Sequence, residues 1–321
     1  MQSRRICVLM LATLALCFPL YLCLIIPLYR PHVKSTVSKD RGAAGSAART
    51  RLVVSVSSLL GRVDYLRRSL PSIEKQSLRP DRIVVNMPLY TRFGNITAGD
   101  VESLVAALGS TTGPLEKVKG KRHDYANRLY YLHFLDRDFG PATKLLGALQ
   151  VEKDPETLVV TLDDDCEYSP EVLAALRYHM PAEGSLSGLC QELPPLMPIH
   201  GMVTLGFPHG ILAKAGWYAE DRIIPCYGWL MGYTGIAYRV RYFGSDIFEY
   251  LQKLPSGCFF HDDVWLSGYL YKKGIQRFYY PFVPDPMHFS RHPNMSISSI
   301  SDTQSRHQLP CVEYFNRFGW N

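Results

Sequence analysis

The chain has 321 residues and a formal net charge of +6, with 35 Lys and Arg against 29 Asp and Glu. That length suits one large α/β body as well as two small domains, and 47% apolar residues are enough for a sizeable core. Much of the positive charge lies in the first fifty residues, and no basic block is interleaved with aromatics, which argues against a nucleic-acid partner.

The N-terminus reads as a short tail, residues 1–5, and then "ICVLMLATLALCFPLYLCLIIPLY", residues 6–29, without a charge. A helix rises about 1.5 Å per residue, so about 20 residues cross a hydrocarbon core. Pro19 and Pro27 are tolerated in membrane helices. A cleaved signal peptide is the rival, but its apolar region is usually about 7–15 residues and ends in a small-x-small site. Here Leu, Ile and Pro occupy that place, which favours an uncleaved anchor. Arg4 and Arg5 before it, against Arg30 and Lys34 after it, lean towards a cytoplasmic N-terminus. The sequons at Asn95 ("NIT") and Asn294 ("NMS") point the same way, since they accept glycans only in a luminal body.

Residues 30–50 are polar, rich in small residues and aperiodic, and read as a flexible stem. Residues 51–321 form the folded body. "RLVVSVSS" is a strand. "GRVDYLRRSLPSIEKQS" has Val63, Leu66, Leu70 and Ile73 at helical spacing. "PDRIVVNMP" is a second strand, and strand, helix, strand over about 35 residues is a βαβ unit with parallel pairing. "VESLVAAL" is helical, "YANRLYYLHFL" is ambiguous, and "PATKLLGALQVE" is a helix with Pro141 in its first turn. "TLVVTL" is a strand, followed by a helix with Ser169 as N-cap and Pro170 at N1. Beyond about residue 180 the chain turns aromatic, Gly- and Pro-rich and irregular. Cys166, Cys190, Cys226, Cys258 and Cys311 lie in the body, without CxxC or zinc spacing. One or two disulfides are expected, with open pairing.

Three adjacent carboxylates, Asp163, Asp164 and Asp165, end the strand "TLVVTL". Like charges there raise each other's pKa values unless a cation compensates. Oxygen ligands suit Mg²⁺ or Mn²⁺, which can bridge a diphosphate, and ligands of open α/β sheets bind at the carboxyl ends of strands. The plainer alternative is one capping and two solvated aspartates.

The ordered set of βαβ start, aspartate cluster, "YSPEVLAAL" and "DFGPATKLLGAL" resembles the GT-A-fold glycosyltransferases and their DxD motif, over roughly residues 51–290. The resemblance implies a Rossmann-like α/β fold with a mixed, mainly parallel sheet flanked by helices. It implies a nucleotide-sugar donor and a glycan, protein or lipid acceptor. Asp163 would lie on the ribose or base side of the donor, and Asp165 would hold the metal with Asp164 assisting. Ser55, Ser57, Arg62 and Lys144 would lie near the donor, although Lys144 also reads as an exposed helix lysine. "FFHDDVWLSGYLYKKG" is similar to the acidic motif that carries the base of inverting members, with Asp263 favoured and Asp262 the alternate; either also suits a helix cap. A base is needed because an attacking hydroxyl must lose its proton. A histidine after the last core strand completes the metal shell in many members, so Asp163, Asp165 and His288 form the expected metal set, with His292 the runner-up. "GWLMGYTGIAYR" places Gly232 and Gly235 where backbone meets donor sugar, with Trp229 and Tyr233 offering ring faces or core packing.

The resulting expectation is a type II, single-pass protein of the Golgi or ER membrane with a luminal transferase domain. A metal-dependent nucleotidyltransferase and an inactive lectin or scaffold of the same fold are the alternatives.

Overall fold

The computed structural model describes residues 33–34, 50–192, 204–205, 221–289 and 308–319. The segment 6–29, Asn294 and His292 lie outside the described residues. Among those described, no helix is long and apolar enough to cross a membrane.

Four strands form the centre: β1 (Leu52–Ser57), β2 (Arg82–Pro88), β3 (Tyr130–Leu135) and β4 (Leu158–Thr161). All are buried nearly throughout, as parallel strands covered on both faces must be. Their order is β4-β1-β2-β3, all pairs parallel, with Ser55 opposite Thr161 and Val84. Parallel pairing requires crossovers. These are α1 (Val63–Glu74), α2 (Ala98–Thr112) and α3 (Thr143–Val151). α1 buries Leu66, Leu70 and Ile73, as its spacing predicts, while Val63 is only partly buried. α2 starts in a Thr97/Asp100 capping box, so the hydroxyl of the Asn95 sequon also caps a helix. Asn95 itself is exposed.

The path from β1 to β3 steps outward, and β4 then returns to the other side of β1. The strand order therefore reverses between β1 and β4, the kind of switch point where the loops diverge and leave a crevice. "YANRLYYLHFL" resolves into β3 and an outer two-residue strand, Tyr125–Ala126.

The half that reads as irregular in sequence completes the sheet. β5 (Cys166–Glu167) follows the aspartates. The next helix, α4 (Val172–His179), starts beyond Pro170, with Glu171 rather than Ser169 at the N-cap; the Ser169 hydroxyl donates to Glu171 instead. β6 (Ser185–Ser187), β7 (Cys190–Glu192), β8 (Arg222–Pro225), β9 (Gly228–Leu230) and β10 (Ile236–Arg239) follow. Then come α5 (Asp262–Lys272), β11 (Arg277–Tyr279), β12 (Met287–His288) and α6 (Leu309–Asn316). β10 pairs antiparallel with β4, and β6, β11 and β8 extend the sheet outward from it. β9 pairs with β7 in a small separate sheet, and β12 pairs with β5. The sheet is thus mixed, with a parallel centre and helices on its faces.

Among the described residues two disulfides form, Cys190–Cys226 and Cys258–Cys311, and Cys166 is free. The second ties α6 to the turn before α5, and Gly268 within α5 lies against the Phe315 ring, where an added Cβ would clash.

Candidate active site

The crevice at the switch point is a cleft of about 840 Å³. Much of its charge comes from three stretches, residues 57–62 at and after the end of β1, the aspartates after β4 and the start of α5, with Arg92, Asp138 and Lys144 adding to it. Ser57, Arg62, Lys144, Asp163, Asp164, Asp165, Asp262, Asp263 and His288 all line it. Six aspartates face three basic side chains, Arg62, Arg92 and Lys144. The lining is therefore net negative.

The three consecutive aspartates have three different surroundings. Asp164 turns inward and is 5% exposed. It accepts from Ser58 Oγ at 2.5 Å and from Arg62 Nε at 3.2 Å and Nη2 at 2.5 Å. Arg62 Nη2 also reaches Asp165 Oδ2 at 3.0 Å. Burial alone would lower the Arg62 pKa, but Asp164 and Asp165 outweigh it and hold the guanidinium charged. Asp163 Oδ1 accepts from Lys144 Nζ at 2.6 Å, and its backbone N–H donates to Tyr168 Oη. Asp165 keeps its carboxylate half-exposed at the cleft.

Lys144, on the first turn of α3, is 5% exposed, which removes the exposed-lysine alternative. Its Nζ also lies 3.1 Å from Asp262 Oδ2, an ion pair without hydrogen-bond alignment. Burial would lower its pKa; Asp163, Asp262 and Asp263 together drive it well above the ordinary lysine value. Lys144 thus bridges the aspartates after β4 to those of α5.

Asp262 and Asp263 occupy the first turn of α5, and neither side chain caps the helix. Asp263 Oδ2 accepts from the Gly232 N–H at 2.9 Å, while Oδ1 has no hydrogen-bond partner. Loss of solvent, then the Asp262 charge, pushes the Asp263 carboxyl well above the usual range, against Lys144 and the Gly232 N–H. Gly232 serves this contact by being glycine: a Cβ there would lie 2.6 Å from Asp263 Oδ1.

Two expected site residues lie elsewhere. Ser55 is fully buried; its hydroxyl donates to the Lys144 carbonyl and accepts from Asn86. It positions α3 and does not reach the cleft. Gly235 has φ +87° and backs onto Leu162 and Leu176, so it serves a turn rather than a ligand. Trp229 lines the cleft while 98% covered, so it is mostly core. Tyr233 is half-buried, its ring 5.2 Å from that of His288.

The expected metal set changes membership. Asp165 and His288 are joined by Cys166, one ligand atom of each lying within 4.8 Å of the others. Asp163 stands apart because Lys144 takes its carboxylate. The half-exposed Asp165 and exposed His288 still offer an oxygen and an imidazole to the cleft, a donor pair that fits a divalent cation such as Mn²⁺.

Sequence reading missed Ser58 and Cys166. "VSVSS" offers Ser58 as readily as Ser55 and Ser57. Also missed are Arg92, Phe93, Phe259 and Phe260 at the cleft, where Arg92 packs over the Phe93 and Phe260 rings at 4.5 and 4.6 Å.

No family model and no curated protein matches the sequence. Solved structures share parts of the chain path. A Pyrobaculum calidifontis mannosyltransferase in complex with GDP-Man and Mn²⁺ matches at 17% identity and TM-score 0.47, over 84% of this chain and 65% of that one. S. aureus TarS 1–349 with UDP-GlcNAc matches at 15% and 0.43, over 83% and 67%. 4-Diphosphocytidyl-2C-methyl-D-erythritol synthase from Anaerococcus prevotii matches at 11% and 0.37, over 63% and 76%. This chain therefore spans about two thirds of the first two solved chains.

Proposed function

We propose that this chain is a metal-dependent glycosyltransferase of the GT-A type, moving a sugar from a nucleoside-diphosphate donor to a hydroxyl of a glycan, protein or lipid. One observation carries the reading: a cleft at the strand-order reversal holds twice as many aspartates as basic groups. A polyanionic diphosphate enters such a cleft only with a cation. The carboxylate excess is the counterpart of a metal–diphosphate ligand.

Asp165 and His288 would hold a Mn²⁺ or Mg²⁺ ion there. When bound, it would neutralise charge developing on the leaving diphosphate. Asp163 is released to the donor, or kept by Lys144, according to that ligand. Ser57 and Arg62 border the nucleotide side, with Arg62 fixing both Asp164 and Asp165. Across the cleft, Asp263 is the general base. The acceptor oxygen attacks the anomeric carbon, its proton passes to Asp263 once that carboxyl has ionised, which its raised pKa defers to higher pH, and the bond to the diphosphate breaks with its electron pair leaving on phosphate. Attack from the side opposite the leaving group inverts the anomeric centre. Gly232 donates to Oδ2 and so fixes the orientation of this carboxylate. Asp262 is the anchor for Lys144.

The setting proposed is the lumen of the Golgi or ER, with residues 6–29 as a type II anchor, 1–5 as tail and 30–50 as stem. Two disulfides in the body fit an oxidising compartment, and the exposed Asn95 fits a glycan acceptor. The test is turnover of a panel of sugar nucleotides by the full chain with Mn²⁺ and with chelator. Cation-dependent release of nucleoside diphosphate from one or more donors supports the reading; turnover of none contradicts it.

A further inference from the structure

Cys166 is the free cysteine among the described residues, fully buried directly behind Asp165, and the proposed transfer does not use it. Its Sγ lies 3.2 Å from His288 Nδ1 and 3.7 Å from Asp165 Oδ1. Register explains the closeness: β5 and β12 are antiparallel and Cys166 pairs directly with His288. The Phe289 N–H donates to the Asp165 carbonyl at 2.8 Å and holds the next rung. Backbone pairing therefore presets all three side chains.

The spacing has a chemical meaning. Bonds of about 2.0–2.3 Å to a tetrahedral zinc ion set its ligand atoms about 3.3–3.7 Å apart. The sulfur–oxygen separation of 3.7 Å falls within that range and the sulfur–nitrogen separation of 3.2 Å lies just below it. The set is one sulfur, one imidazole and one carboxylate, and two of the three residues face the cleft.

We propose that Asp165, Cys166 and His288 form a three-ligand site for a thiophilic divalent cation such as Zn²⁺ or Co²⁺, its fourth position open to the cleft. On binding, the thiol proton leaves to solvent and the sulfur donates an electron pair to the ion. Manganese is a carboxylate-preferring ion and gains little from the thiolate, whereas zinc gains from all three donors. The two ions share Asp165 and His288, so they exclude one another. Inhibition of transfer by zinc is a consequence that rests on the proposed function; the coordination itself does not.

The test reads the metal directly. The full chain, stripped of metal, handled without oxygen and with both disulfides intact, is titrated with Co²⁺ as the probe. The expected result is a sulfur-to-cobalt charge-transfer absorption that saturates at one ion per chain and is displaced by Zn²⁺. Cys166→Ser should lack that band. Losing even an outer partner of a ligand costs about 10–100-fold in affinity, so His288→Ala should weaken Co²⁺ binding at least that much. No charge-transfer band in the wild type overturns the site. A band of equal intensity in Cys166→Ser also overturns it, because it places the sulfur on Cys7, Cys17 or Cys23. Should Cys166→Ser fail to fold, unchanged Co²⁺ affinity in the surface variant His288→Ala is the overturning result. None of these readings depends on turnover.

Discussion

Asp262 and Asp263 are neighbours in sequence with different partners, and their roles divide accordingly. Asp262 faces a buried ammonium; Asp263 faces a backbone N–H, and its other oxygen is buried without a hydrogen bond. Asp263→Asn should lower kcat by about 10²–10⁴-fold, the usual worth of a general base, with donor affinity unchanged in equilibrium binding. Full activity in that variant would move the role elsewhere. The raised Asp263 pKa also has a stability sign. The folded chain keeps this proton where the unfolded chain, ionising near ~3.9, has lost it. Stability from this group is therefore complete below about pH 4 and is lost as pH rises through the folded value. Asp262 and Asp163 oppose its ionisation while Lys144 and the Gly232 N–H favour it. The melting temperature of Asp263→Asn should thus gain on the wild type as pH rises from about 4, in a scan of both proteins. Lys144→Met leaves the buried Asp262 and the partly exposed Asp163 without their cation. Breaking such a pair should cost about 3–5 kcal/mol in denaturant unfolding; a change below about 1 kcal/mol would show that the network is dispensable.

Among elements, α3 decides where the site sits. It packs so closely on β2 that a Cβ on Gly147 would clash with Asn86 Oδ1. Asn86 in turn donates to Ser55 Oγ and the Val56 carbonyl. This buried polar seam fixes the helix whose first turn carries Lys144. Gly147→Ala should destabilise by about 1–3 kcal/mol through overpacking, measured by urea unfolding, and should disturb the cleft with it. The seam also shows what sequence patterns can and cannot carry. The uninterrupted apolar runs of β1, β2 and β4 announce buried parallel strands, and the βαβ order follows from them. The cluster Asp163–Asp165 announces a site because three charges end such a run. Whether Ser55 faces the cleft or α3 is a matter of tertiary packing that "VSVSS" does not encode. The same holds for Asp163 choosing Lys144 and for Cys166 meeting His288, contacts separated by 19 and 122 residues. The late sheet strands β6, β8 and β11 are only three or four residues long, too short for a period-2 pattern to stand out from a Gly- and Pro-rich background.

For the whole molecule, the cleft joins two halves, and the second half is stapled. Cys258–Cys311 closes α6 onto the turn that precedes Asp262. A disulfide of this span is worth about 2–4 kcal/mol, so reduction should lower the melting temperature and loosen the α5 side of the cleft before the β1–β3 side. The central claim is that the carboxylate-rich cleft binds a nucleoside diphosphate only together with a divalent cation. Titration calorimetry of the full chain with UDP, GDP and CDP, with and without Mn²⁺, tests it most directly. The account predicts saturable binding of at least one diphosphate that requires Mn²⁺ and is lost in Asp165→Ala. Equal binding without the cation, or no binding of any of the three in its presence, would contradict it.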